Sequence, residues 1–330
     1  MTSPVAIRSL EKCAGDVARR LTRSGQVKVT FRERLEYVAV RGVLAFLGWL
    51  PHRLARALGA ALAALAYLFW PRLGRVGLLN LRMAFPEWAE RRRRQTLFGV
   101  FQNFGRMLAD FSQFPRLKSS NIDELIVYDG FEHFERARAQ GKGVLFLTAH
   151  FGNWELSSFA HGLYGFPCHF VVRELDNPLI GALVNRYRSL SGGHPIEKRD
   201  FAFQALRAFQ RGEAVGVLID QNMLEPEGVF VDFFGRAAST TPGPARLARK
   251  TGVPIVMGLV IFDRQLGKYR LRFDPVHWIT GDDPEEEIRV NTQNFTRLIE
   301  DAARRHPDHW LWVHRRWKTR PPGEPPLYPF

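Results

Sequence analysis

The sequence predicts an α/β fold, a mainly parallel central sheet flanked by helices, with an apolar helical hairpin ahead of it. Three observations carry this prediction. Short, continuous apolar runs recur from Gly143 onward, as in strands covered on both faces. Amphipathic stretches with helix start and stop residues lie between those runs. Two longer apolar segments, 37–50 and 57–70, come before them all, split by Pro51-His52-Arg53. At 330 residues the chain is long enough for one large α/β domain.

Taken in order, residues 1–34 read as a basic tail, 35–95 as a membrane-associating helical region and 96–330 as the α/β domain. The tail has no apolar run of signal-peptide type, so no secretory cleavage is expected. Segment 37–50 is interrupted by Arg41, whereas 57–70 carries no charge. Each falls short of the roughly 20 apolar residues that cross a bilayer as a helix. A buried hairpin in a soluble core is one reading of runs this short. The flanks favour a hairpin lying on or spanning a membrane: Arg53, Arg56, Arg72 and Arg75 bracket the second run, and Trp49, Tyr67 and Trp70 sit near the segment ends. Next to such a hairpin, Arg91 to Arg94 suit anionic headgroups.

Strands are predicted at 144–149, 170–172, 215–219 and 254–262. A half-exposed strand follows, where Tyr269, Leu271 and Phe273 alternate with Arg270 and Arg272. Helices are predicted at 179–190, 201–211 and 244–250, closed by glycines. A long last helix starts with Asp283 as N-cap and Pro284 at its first position, and runs to His306 before Pro307.

Lys plus Arg is 47 against 33 for Asp plus Glu, a net charge of +14 that favours anionic partners. The cysteines, Cys13 and Cys168, are too few for a disulfide scaffold or a Cys-rich zinc module. No RNP-like sheet motif, zinc finger or array of basic helices suggests nucleic acid as the partner.

In open parallel sheets, ligands collect at the carboxyl ends of the strands. Here those ends carry His150, Arg173 and Asp220-Gln221, a base, a fixed cation and a carboxylate-amide pair predicted to share one rim. His150 stands in Thr148-Ala149-His150-Phe151-Gly152-Asn153-Trp154-Glu155, where Gly152-Asn153 marks a turn. Glu155, across that turn, is expected to reach back to one imidazole nitrogen while the other removes a proton. His161 reads as an ordinary helix histidine. The signatures GxSxG, GxxxxGK[ST], GxGxxG and HEXXH are missing, which removes support from serine hydrolases, P-loop enzymes, Rossmann dehydrogenases and zincins.

The run His150-Phe-Gly-Asn-Trp-Glu155 is similar to the HX4D/E motif of glycerolipid and lipid A acyltransferases. Arg173 with Asp176-Asn177-Pro178 resembles that family's second block, and Asp220-Gln221-Asn222 its third. The segments 231–235, Thr240-Thr241 and 245–248 continue in order. The closing 312–321 resembles the C-terminus of the late acyltransferases of lipid A biosynthesis, the lauroyl and myristoyl type, and 79–87 their N-terminal block.

The resemblance implies a glycerolipid acyltransferase-like fold at the cytoplasmic face of an inner membrane. The implied reaction moves an acyl chain from an acyl carrier protein or acyl-CoA thioester to a hydroxyl of a phosphorylated glycolipid, a lipid A precursor. No cofactor and no metal are expected. His150 is expected as general base with Glu155 as its partner, and Asn153, Arg173, Asn177, Asp220, Gln221 and Arg316 as substrate-binding or site-shaping residues. A different acceptor, such as a phosphatidylinositol mannoside or a lysophospholipid, and a non-catalytic membrane scaffold are the alternatives.

Overall fold

A computed structural model describes residues 29–69, 71–172, 175–197 and 200–329. The predicted basic tail thus lies almost wholly outside the described residues, and so do Trp70 and Arg173. Helix α1 (Phe31–Trp49) starts where it does because Thr30 and Glu33 cap each other. The Thr30 hydroxyl accepts from the Glu33 N–H at 3.2 Å, and the Glu33 carboxylate accepts from the Thr30 N–H at 2.7 Å. Pro51 separates α1 from α2 (His52–Phe69), which leads into α3 (Pro71–Ala84) and the long α4 (Glu90–Gln113). Helix α4 runs across position 95, the predicted boundary between the helical region and the sheet domain, and contributes to the cores of both.

The rest alternates β1 (Ile126–Asp129), α5 (Phe131–Arg138), β2 (Val144–Thr148), α6 (Trp154–Leu163), β3 (Cys168–Val172), α7 (Pro178–Arg188), β4 (His194–Glu197), α8 (Phe201–Gln210) and β5 (Ala214–Leu218). A two-stranded ribbon of β6 (Val229–Asp232) and β7 (Ala237–Thr240) follows. Then come α9 (Gly243–Thr251), β8 (Ile255–Asp263), β9 (Lys268–Pro275) and α10 (Pro284–Arg305). The seven-stranded sheet has the order β1-β9-β8-β2-β5-β3-β4. Strands β8, β2, β5, β3 and β4 are parallel; β9 turns back antiparallel on β8, and β1 pairs parallel with β9.

Strand β2 lies at the centre and is buried on both faces. Leu145 and Leu147 join a core with α3, α4, α8, α9 and α10 on one side. Phe146 joins a second core with α5 and α6 on the other. The continuous apolar runs in the sequence follow from this double covering. After β2 the chain moves toward β3 and β4, and after β5 it crosses to β8 on the other side. That reversal leaves a crevice at the carboxyl ends of β2 and β5.

Helix α2 is built inside out. Its packed face carries Ala55 and Gly59, one helical turn apart, while Leu54, Leu62, Leu65, Leu68 and Phe69 are exposed. Small residues let it lie directly on α4. A Cβ on Gly105 would stand 2.1 Å from the Gly59 carbonyl oxygen, and one on Gly59 would stand 2.3 Å from the Gly105 oxygen. Gly105→Ala is therefore expected to push α2 off α4, an overpacking cost of about 1–3 kcal/mol. That exceeds the roughly 1 kcal/mol that alanine gains in helix propensity. Thermal unfolding checks it: a lower melting temperature is expected, and one at or above wild type contradicts the close crossing.

Candidate active site

In parallel strands that pair in register, residues at equal offsets past the last pair stand side by side. Thr148 pairs with Leu218, so His150 and Asp220 come level two residues later. The His150 imidazole Nδ1 lies 2.8 Å from Asp220 Oδ1. The His150 backbone N–H donates to Asp220 Oδ2 at 3.0 Å, and the Trp310 indole N–H donates to the same oxygen at 2.9 Å. Burial alone would raise the Asp220 carboxyl; the His150 charge and these hydrogen bonds outweigh it and hold the group below the usual carboxylate range. With Nδ1 committed to Asp220, Nε2 is left as the outward nitrogen. Gln221 Nε2 sits 3.3 Å from it.

The turn beyond His150 is fixed on all sides. Gly152 has a φ of +58°, and a Cβ there would lie 1.8 Å from the Val260 carbonyl oxygen, so only glycine fits. The Gly152 N–H donates to the His309 carbonyl at 2.8 Å, and the Leu311 N–H donates to the His150 carbonyl at 3.1 Å. The C-terminal segment, with Trp310, Trp312 and Trp317 fully buried, is therefore laced to the histidine loop.

Glu155 does not take the place the sequence suggested. It lies in the first turn of α6, where Arg188 of α7 grips it with two nitrogens, Nε at 2.7 Å, and the Trp154 indole N–H adds a third bond. Among the described residues no hydrogen bond joins Glu155 to His150; the carboxylate on the imidazole is Asp220. The reason is geometric. The turn starts α6 with Glu155 facing α7, whereas the register of β2 and β5 delivers Asp220 straight to the ring.

The other predicted residues sort by position. Asn153 caps α6, its side-chain oxygen accepting from the Leu156 N–H at 3.1 Å, and its amide donates to Asp110 at 2.9 Å. It braces the turn. Asn177 caps α7 and donates to the Glu33 carbonyl and to Glu36, which ties α7 to α1. Arg316 is fully buried behind Gln221, donating to the Ser239 carbonyl at 2.7 Å and to Thr240, so it shapes the site from beneath. Burial brings its guanidinium down to about 10, still cationic at neutral pH. Arg173, the residue after Val172 in the sequence, lies outside the described residues.

A cavity of about 480 Å³ opens at this rim. His150, Gln221, Glu155 and Arg188 stand among its walls, which continue along the sheet past Phe146, Gly216 and Leu218 to Cys168, Phe170 and His161. Its size falls in the range of ligand pockets, roughly 300–1,000 Å³. Arg188 and Trp310 were not singled out from sequence. Arg188 looks like an ordinary helix-end cation, and Trp310 is 90 residues from its partner.

Two buried histidines contribute to the acid response of the protein. Burial pushes His161, whose Nδ1 lies 3.2 Å from the Tyr128 hydroxyl, down to about 3. Burial likewise lowers His314, whose Nε2 accepts from the Asn222 N–H, to about 4. Both are neutral in the fold but protonate near pH 6.5 when unfolded. Between those values the unfolded chain binds more protons, so stability falls as pH falls. The melting temperature is expected to drop from about pH 7 to about pH 5; a flat profile contradicts this assignment.

With this geometry established, comparison with known proteins identifies the family. The family model described as bacterial lipid A biosynthesis acyltransferase matches residues 26–319. A lipid A biosynthesis lauroyltransferase of Escherichia coli (strain K12) is 30% identical over 292 residues, 87% of this chain and 92% of that protein. A lipid A biosynthesis palmitoleoyltransferase from the same strain is 28% identical over 288 residues, again 87% and 92%. A lipid A biosynthesis myristoyltransferase from that strain is 24% identical over 262 residues, 78% of this chain and 80% of its own length. The chain belongs to the bacterial lipid A biosynthesis acyltransferases, enzymes that transfer acyl groups to a lipid A precursor.

Proposed function

We propose that this enzyme takes its acyl group from a thioester, carried by acyl carrier protein or coenzyme A, and that His150 oriented by Asp220 is the general base. The observation that carries the reading is the imidazole at the cavity rim, with Nδ1 on a buried carboxylate and Nε2 facing outward. An acceptor hydroxyl at the place now taken by the Gln221 amide would give its proton to Nε2 as its oxygen attacks the thioester carbonyl. The C–S bond then breaks, the imidazolium returns the proton to the thiolate, and an ester and a free thiol result. Asp220 favours this by holding the tautomer and stabilising the transient imidazolium.

The apolar stretch of the cavity suits the acyl chain, since Phe146, Leu218 and Phe170 line it with Gly216 between them. Relatives named for lauroyl, myristoyl and palmitoleoyl groups differ in chain, so family membership leaves chain length to such walls. Glu155 and Arg188, paired at the rim, are a gatepost for the headgroup or thioester end of a substrate.

The exposed faces of α1 and α2 support a membrane-bound enzyme. Phe31 is 84% exposed, Trp49 73% and Phe69 82%, alongside the leucines of α2, an apolar surface that water alone does not favour. No single described helix is long and apolar enough to cross a membrane. The bent pair His52–Phe69 and Pro71–Ala84 is together long and apolar enough to do so, and lying on the membrane or spanning it, these helices suit the cytoplasmic side of the inner membrane, where thioester donors are available. The charge of +14 suits the anionic bilayer, the phosphorylated acceptor and an acidic carrier.

The test is acyl transfer from carrier and coenzyme A thioesters to a lipid A precursor, read by mass spectrometry. His150→Ala is expected to lose about 10²–10⁴-fold in kcat, and Asp220→Asn about 10²-fold or more, in protein that stays folded. A wild-type rate in either variant contradicts the proposed pair.

A further inference from the structure

The turn that carries His150 is also held from behind, by a carboxylate remote from the cavity. Asp110 lies near the end of α4, and its side chain is fully buried. Its Oδ1 accepts from His52 Nε2 and from Arg56 Nε, both at 2.7 Å and both on α2. Its Oδ2 accepts from the Asn153 amide at 2.9 Å. Tyr269 of β9 is buried beside the same group, its hydroxyl pushed well above the usual value by burial and by the Asp110 charge. One carboxylate thus joins the helix with the exposed leucines to the cap of α6, two residues after Gly152-bounded His150-Phe151.

Neither neighbour needs this charge for its own sake. Capping α6 uses only the Asn153 oxygen, which already accepts from the Leu156 N–H. Packing α2 on α4 is achieved by Ala55, Gly59, Gly105 and Ala109. A buried ion pair is rarely the cheapest way to stabilise a helix contact, since apolar replacements often do as well or better. What the carboxylate adds is a second anchor: with its oxygen on the Leu156 N–H, the Asn153 amide has its nitrogen on Asp110, which His52 and Arg56 hold in turn.

We infer that Asp110 is a positioning residue, coupling the seating of α2 on α4 to the orientation of the His150 turn through Asn153. The inference rests on the proposed role of His150 as base. If α2 shifts, as when its outer face enters or leaves an interface, the Asp110 contacts change and the turn changes with them. Geometric errors of about 1 Å at a catalytic group cost on the order of 10²-fold in rate.

A double-mutant cycle on the full-length enzyme tests this, with a lauroyl carrier-protein thioester and a lipid A precursor as substrates. Asp110→Asn and Asn153→Ala are each expected to lower kcat about 10²-fold with KM within about twofold of wild type. The double variant is expected to be no slower than the slower single, because both remove one linkage. A residue serving stability alone would lower the melting temperature and leave kcat per folded enzyme unchanged, which would overturn the inference; so would additive losses in the double variant. If Asp110→Asn does not fold, His52→Ala at the rim of the cluster takes its place. It is expected to lose about three- to tenfold in kcat, again non-additively with Asn153→Ala, and wild-type kcat there overturns the coupling. His150→Ala run in parallel separates the two readings. If it stays active the base assignment fails, whereas the Asp110–Asn153 cycle still reports whether the two residues act as one.

Discussion

A carboxylate buried at the end of a strand is tolerated when every lone pair that matters is occupied, and Asp220 meets that condition with three donors. Much of the architecture supplies those donors. The register of β2 and β5 brings His150 level with Asp220, so both the ring and the backbone N–H of the histidine reach one carboxyl group. Trp310 comes from the opposite end of the chain, on a segment kept in place by three buried tryptophans and by main-chain bonds to the histidine loop. Each hydrogen bond to an ionised group contributes about 1.5–3 kcal/mol, and an unpaired partner would cost as much again. The site is thus part of the core that holds the C-terminus onto the sheet.

The second constraint comes from the outer face of α2. A helix that turns alanine and glycine inward and leucine and phenylalanine outward gains little from water and much from an apolar surface. Its Gly59, facing Gly105 of α4, permits contact close enough for His52 and Arg56 to reach Asp110. The same close crossing that presents the apolar face therefore places an imidazole and a guanidinium on the carboxylate that holds the Asn153 amide. Surface, helix packing and the His150 turn form a continuous physical chain in this fold.

Much of this was legible in the sequence, and the limits of that legibility are physical. Strands β2, β5 and β8 announced themselves because burial on both faces leaves no polar positions to blur the pattern. Helix α10 was readable from Asp283 and Pro284, whose cap geometry appears as expected. Short edge strands such as β1 and β4 were missed, since Ile126–Asp129 and His194–Glu197 mix polar and apolar residues as edges do. His150 and Asp220 were both seen as rim residues. The proximity of Glu155 in sequence outweighed the equal offset of Asp220 along a paired strand, and spatial register decided otherwise. The Asp110 cluster had no signature, because its members at 52, 56, 110, 153 and 269 share no spacing.

The proposed control of the His150 tautomer by Asp220 is read most directly by nitrogen NMR of the histidine ring. In ¹⁵N-histidine-labelled enzyme at a pH where the ring is neutral, His150 is expected to carry its proton on Nδ1 and to leave Nε2 bare. Asp220→Asn should change that signal, and Glu155→Gln should leave it in place. A proton on Nε2 in the wild type, or a signal that responds to Glu155→Gln and ignores Asp220→Asn, would rule out Asp220 as the residue that sets the tautomer.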